Sequence, residues 1–280
     1  MSPTSVFAKG CTALITGGAS GVGLAVARLC RKHGMRVAVC DNNAETLAMA
    51  KKTLSGGAAD EVETYQTDVS KLDQWTELKE KVEKKFGGVD FLMLNAGIGA
   101  KSGWEDSAYF EKVMGTNLFG VIYGLNTFVP VVQAQKDKPS AIVITGSKQG
   151  ITNPPGNPAY NASKSAVKTL AEHLSFDLKD TTTSVHLLVP GWTFTGLVGF
   201  PSKEKPAGAW APEQVADYLY EKMDQGKFYV ICPDNDVTEE KDKKRMMWSV
   251  GDIVNERPPV SRWREEYKDE AEKWMAEQKL

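Results

Sequence analysis

The chain has 280 residues, a formal net charge of −2 at pH 7 and 25% charged side chains. That length can bury a full core, and the near-neutral charge excludes an electrostatic nucleic-acid binder. No apolar stretch is read as approaching the roughly 20 residues that cross a bilayer, so no membrane span is expected.

Residues 12–16 read as a short buried strand, followed by Gly17-Gly18-Ala19-Ser20-Gly21-Val22-Gly23 and an apolar helical pattern over 22–32. Strand, glycine-rich turn, helix is the context in which glycines admit a pyrophosphate to the backbone. The helix N-terminus adds free N–H groups and a positive dipole end. A plain glycine-rich turn is the alternative.

The second strand, 36–40, runs into Asp41. A carboxylate there can accept the ribose hydroxyls of an adenosine and would repel a 2′-phosphate. Asn42 and Asn43 follow with no Arg or Lys, and Ser20 adds no charge, so NAD is expected over NADP. Asp41 could instead cap the helix over 44–54, although Asn42 or Asn43 could cap as well.

Further elements follow in alternation: strand 63–67, helix 72–86, strand 91–94, helices 109–114 and 117–132, strand 141–145, helix 158–179, strand 185–189, helix 212–225 and strand 228–231. Most strands are continuously apolar, as parallel strands covered on both faces are. The pattern is α/β, a doubly wound (Rossmann) parallel sheet of about seven strands with helices on both faces. Such sheets bind ligands at their C-terminal strand ends, where Gly17, Asp41, Asn95, Ser147 and Gly191 lie.

Tyr160 and Lys164 stand four apart on one helix face. A phenol has an ordinary pKa of about 10, and a neighbouring ammonium lowers it, which makes the pair a tunable general acid or base. Ser147 could hold a carbonyl or alcohol oxygen against the phenol. Alone, Tyr-x-x-x-Lys more often marks a solvated helix face; the glycine-rich turn strengthens it.

The tail carries the mixed run 239–245, an exposed helix face, and then the break Arg257-Pro258-Pro259. Trp263, Tyr267, Ala271, Trp274 and Gln278 recur every three or four residues, with Ser261 placed as a cap, which predicts an amphipathic helix over 261–278. It packs on its own domain or on a neighbouring subunit. No linker or repeat interrupts the chain, so one domain over 1–254 and a tail over 255–280 are expected. Cys11, Cys30, Cys40 and Cys232 form no Cys-x-x-Cys, and buried free thiols are expected. His33, His173 and His186 lack ligand spacing, so no metal is expected. The first residues lack a basic segment followed by an apolar one, so no secretory leader is expected and the cytoplasm is the expected location.

On these residues the chain resembles the short-chain dehydrogenase/reductase family, in its compact single-domain branch, over residues 9–200. Thr16 to Gly23 match the family's Thr-Gly-x-x-x-Gly-x-Gly turn. Asp68, with Val69, follows the third strand, where the family places a residue near the adenine. Asn95-Ala96-Gly97 match the motif that ends the fourth strand. Asn117, Ser147, Tyr160 and Lys164 match the catalytic tetrad in order and spacing. Pro190-Gly191-Trp192-Thr193-Phe194-Thr195 match the Pro-Gly-x-x-x-Thr segment beside the nicotinamide. Ser147 stands in Thr-Gly-Ser where Ser-Ser is commoner, and Asn117 follows Gly-Thr where Val is usual; neither departure removes a functional atom.

The resemblance implies an NAD-dependent oxidoreductase that interconverts a secondary alcohol and a ketone. Its cofactor would be held by Gly17, Ser20, Gly21, Val22, Gly23, Asp41, Asn42, Asp68, Val69, Asn95, Ala96, Gly97, Tyr160, Lys164, Pro190, Gly191, Thr193 and Thr195. Lys164 would hold the nicotinamide ribose and acidify Tyr160, Tyr160 would exchange the proton, Ser147 would bond the reacting oxygen, and Asn117 would support Lys164 through a water. Ser147, Gln149, Tyr160, Trp192 and Phe194 would line the substrate site under a lid over 192–212. That lid has an apolar roof of Trp192, Phe194, Leu197, Val198 and Phe200, unless these pack on the body or another subunit. Lys203 and Lys205 suit a solvated loop tip better than an acidic substrate. A homodimer or homotetramer built on the helices containing Asn117 and Tyr160 is also implied. The same scaffold could serve an epimerase, dehydratase or cyclase, or a non-catalytic dinucleotide sensor; a sensor need not keep a proton donor.

Overall fold

The computed structural model describes residues 2–56, 59–99, 103–135, 138–198 and 204–279, without the side chains of Ala59 and Val198. Seven strands form one parallel sheet: β1 (Thr12–Thr16), β2 (Arg36–Asp41), β3 (Val62–Gln66), β4 (Phe91–Leu94), β5 (Ser140–Thr145), β6 (Thr183–Val189) and β7 (Tyr229–Ile231). Their spatial order is β3-β2-β1-β4-β5-β6-β7, with Leu14 of β1 level with Ala38 on one side and Leu92 on the other. The order reverses between β1 and β4, which opens the ligand crevice at their C-terminal ends.

The helices are α1 (Gly21–Lys32), α2 (Ala44–Ser55), α3 (Leu72–Phe86), α4 (Ser107–Met114), α5 (Gly120–Gln133), α6 (Gln149–Thr152), α7 (Pro158–Asp177), α8 (Pro212–Asp224), α9 (Glu239–Val254) and α10 (Lys268–Glu277). Alternate strand residues feed two cores, because successive side chains point to opposite faces. Ala13, Ile15, Val37 and Met93 pack with Val26 and Cys30 of α1, Ala50 of α2 and Leu219 of α8. Leu14, Ala38, Leu92 and Ile144 pack with Trp75 and Leu78 of α3, Phe128 of α5 and Val167 of α7. α5 comes close enough that a Cβ on Gly124 would lie 2.6 Å from Leu94 Cδ2 and 2.7 Å from Trp75 Cη2. Any larger residue there would overpack the layer.

Several expectations need correction. The helices expected over 109–114 and 117–132 join through a π-helical turn, Gly115–Phe119. The joined run, Ser107–Gln133, is long and apolar enough by length and composition to cross a membrane, contrary to the expectation, and 39% of its most apolar window is buried inside the fold. Glu111 and Lys112 interrupt this run, so the sequence shows no unbroken apolar stretch of that length. Its inner residues, Val113, Asn117, Val121 and Phe128, serve the core.

In the tail the helix starts at Lys268, after two short 3-10 turns, Ser261–Trp263 and Glu265–Tyr267. Ser261 does not cap it. The buried Ser261 hydroxyl donates to Asp252 and accepts the Trp248 indole N–H at 2.8 Å. Arg257 pairs with Asp252 at 3.0 Å and lies 3.6 Å from the centre of the Trp248 ring. Trp274 meets Trp248 edge-on at 5.6 Å, and Ala271 is buried. That part of the aromatic stripe therefore packs on α9 of its own chain. All four cysteines are free; burial pushes the Cys40 and Cys232 thiols up to about 12.

Candidate active site

The Thr16 hydroxyl at the end of β1 accepts the N–H groups of Asn95 at 2.9 Å and Ala96 at 3.1 Å, which ties β1 to the end of β4. Asn95 returns the tie: its amide donates to the Thr16 carbonyl at 3.1 Å, and its oxygen accepts the Thr145 hydroxyl at 3.2 Å. Expected at the cofactor, this side chain is committed to the scaffold of the turn. Gly17 and Gly21 take left-handed φ values of 60° and 51°, which suit glycine. A Cβ on Gly17 would sit 2.9 Å from Ala96 Cα, and one on Gly23 would sit 2.8 Å from Asn95 Nδ2. Ser20 gives α1 no side-chain cap, so the first-turn N–H groups, including that of Val22, are available to an anion.

The Asp41 carboxylate turns toward this loop. It accepts the N–H of Ala19 at 3.3 Å with one oxygen and that of Asn43 at 3.3 Å with the other. Asn43 is the cap of α2, accepting the N–H groups of Glu45 and Thr46 at 3.0 Å. Capping therefore does not account for Asp41. Beside it, Asn42, Thr67, Asp68 and Leu78 help line a groove of about 610 Å³. Asp68 accepts the Ser70 hydroxyl at 2.7 Å, and the Val69 carbonyl accepts the Trp75 indole at 2.8 Å, so the loop after β3 is firmly set.

α7 carries Tyr160 and Lys164. It opens at Pro158, and the Asn157 side chain accepts the Tyr160 N–H at 3.3 Å. The buried Lys164 ammonium donates to the Thr145 carbonyl at 2.8 Å, and burial lowers it from 10.5 to about 8. It lies 5.9 Å from the centre of the Tyr160 ring. Burial pushes the Tyr160 phenol up, the hydrogen bond with Ser147 lowers it, and Tyr109 raises it further. The net direction is upward, with desolvation of the phenol the largest cause. Tyr160 packs against Gly99, where a Cβ would come within 3.3 Å of its ring.

Asn117 sits in the π-helical turn, fully buried. It accepts the Ile98 N–H at 2.8 Å and donates to the Ile98 carbonyl at 3.0 Å and to Ser163 at 3.3 Å. It clamps the loop after β4, next to Gly97, and a Cβ on Gly97 would lie 3.4 Å from Asn117 Oδ1 and 3.7 Å from Lys164 Nζ. Ser147 is half-buried, and its hydroxyl accepts the N–H of Gln149, which is exposed at the start of α6.

After β6, Pro190 and Gly191 lead into the segment with the Thr193 hydroxyl bonded to the Gly191 carbonyl at 3.0 Å. Thr193 bridges to Trp210: the Phe194 N–H reaches the Trp210 carbonyl and the Trp210 N–H reaches the Trp192 carbonyl, both at 2.9 Å. A Cβ on Gly21 would lie 3.1 Å from Thr195 Cγ2, so this segment returns to the glycine turn. Trp192 is 41% exposed and Phe194 half-buried. Phe200 and Lys203, and the side chain of Val198, lie outside the described residues. Lys205 donates to the Ala209 carbonyl at 2.7 Å, holding its own loop.

Two participants carry no signal in the sequence. Tyr109 of α4 acts on Tyr160 and its hydroxyl reaches Asn157. Lys148 and Asp234 form an ion pair beside Gly191 at 3.3 Å. Both depend on contacts between distant elements, which linear spacing does not encode. Among the described residues, no group of three or more His, Cys, Asp or Glu could hold a metal ion.

Comparison with known proteins agrees with this geometry. The family model for short chain dehydrogenase matches residues 11–205. The chain is 34% identical over 196 residues to an NADP-dependent (R)-specific alcohol dehydrogenase of Lentilactobacillus kefiri, covering 68% of this chain and 76% of that one. It is 31% identical over 191 residues to a 3beta-hydroxysteroid dehydrogenase 2 of Eggerthella lenta, covering 67% and 73%. It is also similar to the crystal structure of a short chain dehydrogenase/reductase from Burkholderia phymatum in complex with NAD, with a TM-score of 0.80, 30% identity, and coverage of 90% and 96%.

Proposed function

The chain belongs to the short-chain dehydrogenase family, oxidoreductases that act on CH–OH groups with a nicotinamide dinucleotide, and on that premise we propose that it interconverts a secondary alcohol and a ketone using NAD. One observation carries this reading: Tyr160 and Lys164 are buried on one helix, the ammonium 5.9 Å from the centre of the phenol ring, and Ser147 acts on that phenol to lower its pKa.

The residues present fit the dinucleotide. Gly17, Gly21 and Gly23 let the turn pack closely on Asn95, Ala96 and Thr195, where a Cβ would collide, and the first N–H groups of α1 would hold the pyrophosphate. Asp41 would accept the ribose hydroxyls, and Thr195 with Lys164 would hold the nicotinamide end. When bound, the dinucleotide supplies or takes the hydride.

In reduction, Tyr160 donates its proton to the carbonyl oxygen as charge develops there; in oxidation it receives that proton back. The phenol is protonated at neutral pH, the form that donates; burial raises its pKa and Ser147 opposes that rise. Ser147 supports the same oxygen with a hydrogen bond. Lys164 contributes its positive charge below about pH 8. Asn117 holds the Ile98 backbone, which keeps the wall beside Lys164 in place. Trp192, Phe194 and Leu197 favour a largely apolar substrate. The choice of NAD rests on Asp41, whose carboxylate accepts the backbone N–H groups of Ala19 and Asn43.

Tyr160→Phe keeps the ring and removes the proton. Its kcat is expected to fall by about 10²–10⁴-fold with NADH affinity unchanged, read by steady-state kinetics and fluorescence titration. A variant within a few-fold of the parent would remove Tyr160 from this role. A parent with higher kcat/KM for NADP than for NAD would overturn the reading of Asp41.

A further inference from the structure

Lys148 follows Ser147 directly, and its side chain is only 15% exposed. It meets two carboxylates from the far end of the chain: Asp234, 6% exposed and just beyond β7, and Asp242, 1% exposed in the first turn of α9. Both acidic residues lie beyond residues 11–205, the part matched by the family model. One oxygen of Asp234 receives the Lys148 ammonium at 3.3 Å and the backbone N–H of Trp192 at 3.1 Å. The other receives the N–H groups of Asp236 at 3.1 Å and Val237 at 2.9 Å. Gly191 closes over the pair: a Cβ there would lie 2.8 Å from Lys148 Nζ and 2.9 Å from Asp234 Oδ2.

A buried charge is tolerated when its lone pairs are all used and its partner is fixed. Asp234 meets that condition, and the groups it joins are informative. One is the residue beside Ser147. Another is the backbone of the 190–195 segment. The remainder belong to its own loop. None is a reacting atom.

We propose that Asp234 is a positioning residue: through Lys148 and the Trp192 N–H it locks the Ser147 loop and the 190–195 segment into one frame, so that the hydroxyl beside Tyr160 and the wall of the nicotinamide site keep a fixed relation. The proposal rests on the oxidoreductase reading above. Asp242 also pairs with Lys148, and Arg245, 3.6 Å from Asp242, extends the charge network. The C-terminal region thereby contributes to the site without entering it.

The test uses the full chain with Asp234→Ala, Asp234→Asn, Lys148→Met and the double variant Asp234→Ala/Lys148→Met. Each is measured for kcat, KM, NADH affinity by fluorescence titration, and Tm. Asp234→Ala is expected to lower kcat by about tenfold and weaken NADH binding several-fold, since small misplacements at a reacting centre are costly. Asp234→Asn keeps an acceptor for the Trp192 N–H and should recover part of the loss. The double variant should be no worse than the more damaging single one, because both break the same link. A purely structural role would lower Tm and leave kcat and NADH affinity within twofold of the parent, which would overturn the proposal. If Asp234→Ala does not fold, Lys148→Met, which removes the cation that Asp234 and Asp242 share, carries the same readings. A parent that turns over no alcohol or ketone would instead overturn the functional reading, and the NADH titrations would still decide the role of Asp234.

Discussion

Lys164 keeps an ammonium in the interior, and burial lowers its pKa from 10.5 to about 8. The folded chain releases this proton near pH 8 while the unfolded chain holds it up to about 10.5. Between those values the unfolded state binds more protons, so the Lys164 contribution to stability rises with pH across that window. Below it both states are charged and the folded state bears the whole burial cost, up to about 3 kcal/mol at 1.36 kcal/mol per pKa unit. Lys164→Met is therefore expected to raise Tm near neutral pH, by an amount that shrinks toward about pH 10, and to abolish turnover. Melting curves at both pH values check this. A lower Tm at neutral pH would mean that the bond to Thr145 outweighs the cost of burial. Tyr160 and Lys164 were legible in the sequence because a helix turns their spacing into a shared face. Asn95 and Asn117 were legible in position but not in what they hold, because their bonds to Thr16 and Ile98 exist only once strands and loops are assembled. Tyr109 and Asp234 were not legible at all, since each acts across a tertiary contact.

At the level of elements, the sheet could be read because most of its strands are buried on both faces and mainly apolar; β4, Phe91–Leu94, shows this fully, whereas the edge strand β3, Val62–Gln66, is largely polar and part-exposed. The π-helical turn could not be read, because residue preferences do not separate it from an ordinary turn of helix. The four residues of α6 are too few for a periodic signal. α9 revealed its charged opening, but Asp242 within that run is buried rather than exposed, as are Trp248 and Asp252 farther along. Ser261 resembled a cap by residue type, yet the carboxylate of Asp252 claims it. A chain truncated before Arg257 loses the cation over Trp248, the hydroxyl on its indole and the ring against its edge. Its Tm is expected to drop by roughly 5–10 °C, with Trp248 fluorescence shifted to the red. Unchanged melting and emission would mean that the tail does not brace α9.

For the whole molecule we propose a homodimer or homotetramer formed on the helices containing Asn117 and Tyr160. Phe119 is 44% exposed and Phe176 67%, and only 39% of the apolar window in Ser107–Gln133 is buried within the chain. Apolar surface of this extent calls for a cover. Light scattering on the intact chain should give two or four copies per particle, and the same number after removal of the tail. A single copy would overturn the proposal, and a reduced number after truncation would move the interface to the tail.

The bridge between Thr193 and Trp210 ties together two points on the chain and closes the interval between them into a loop. The entropy of closing a loop depends weakly on its length, about 0.6 kcal/mol for each doubling. In closure entropy alone, a change of length in that interval is thus inexpensive, while Tyr160 and Lys164 stay on a helix anchored elsewhere. Under the proposed function, in which this interval covers the substrate and Tyr160 moves the proton, heredity can vary the one separately from the other. A lineage built on this chain can change what it acts on without relearning how it acts.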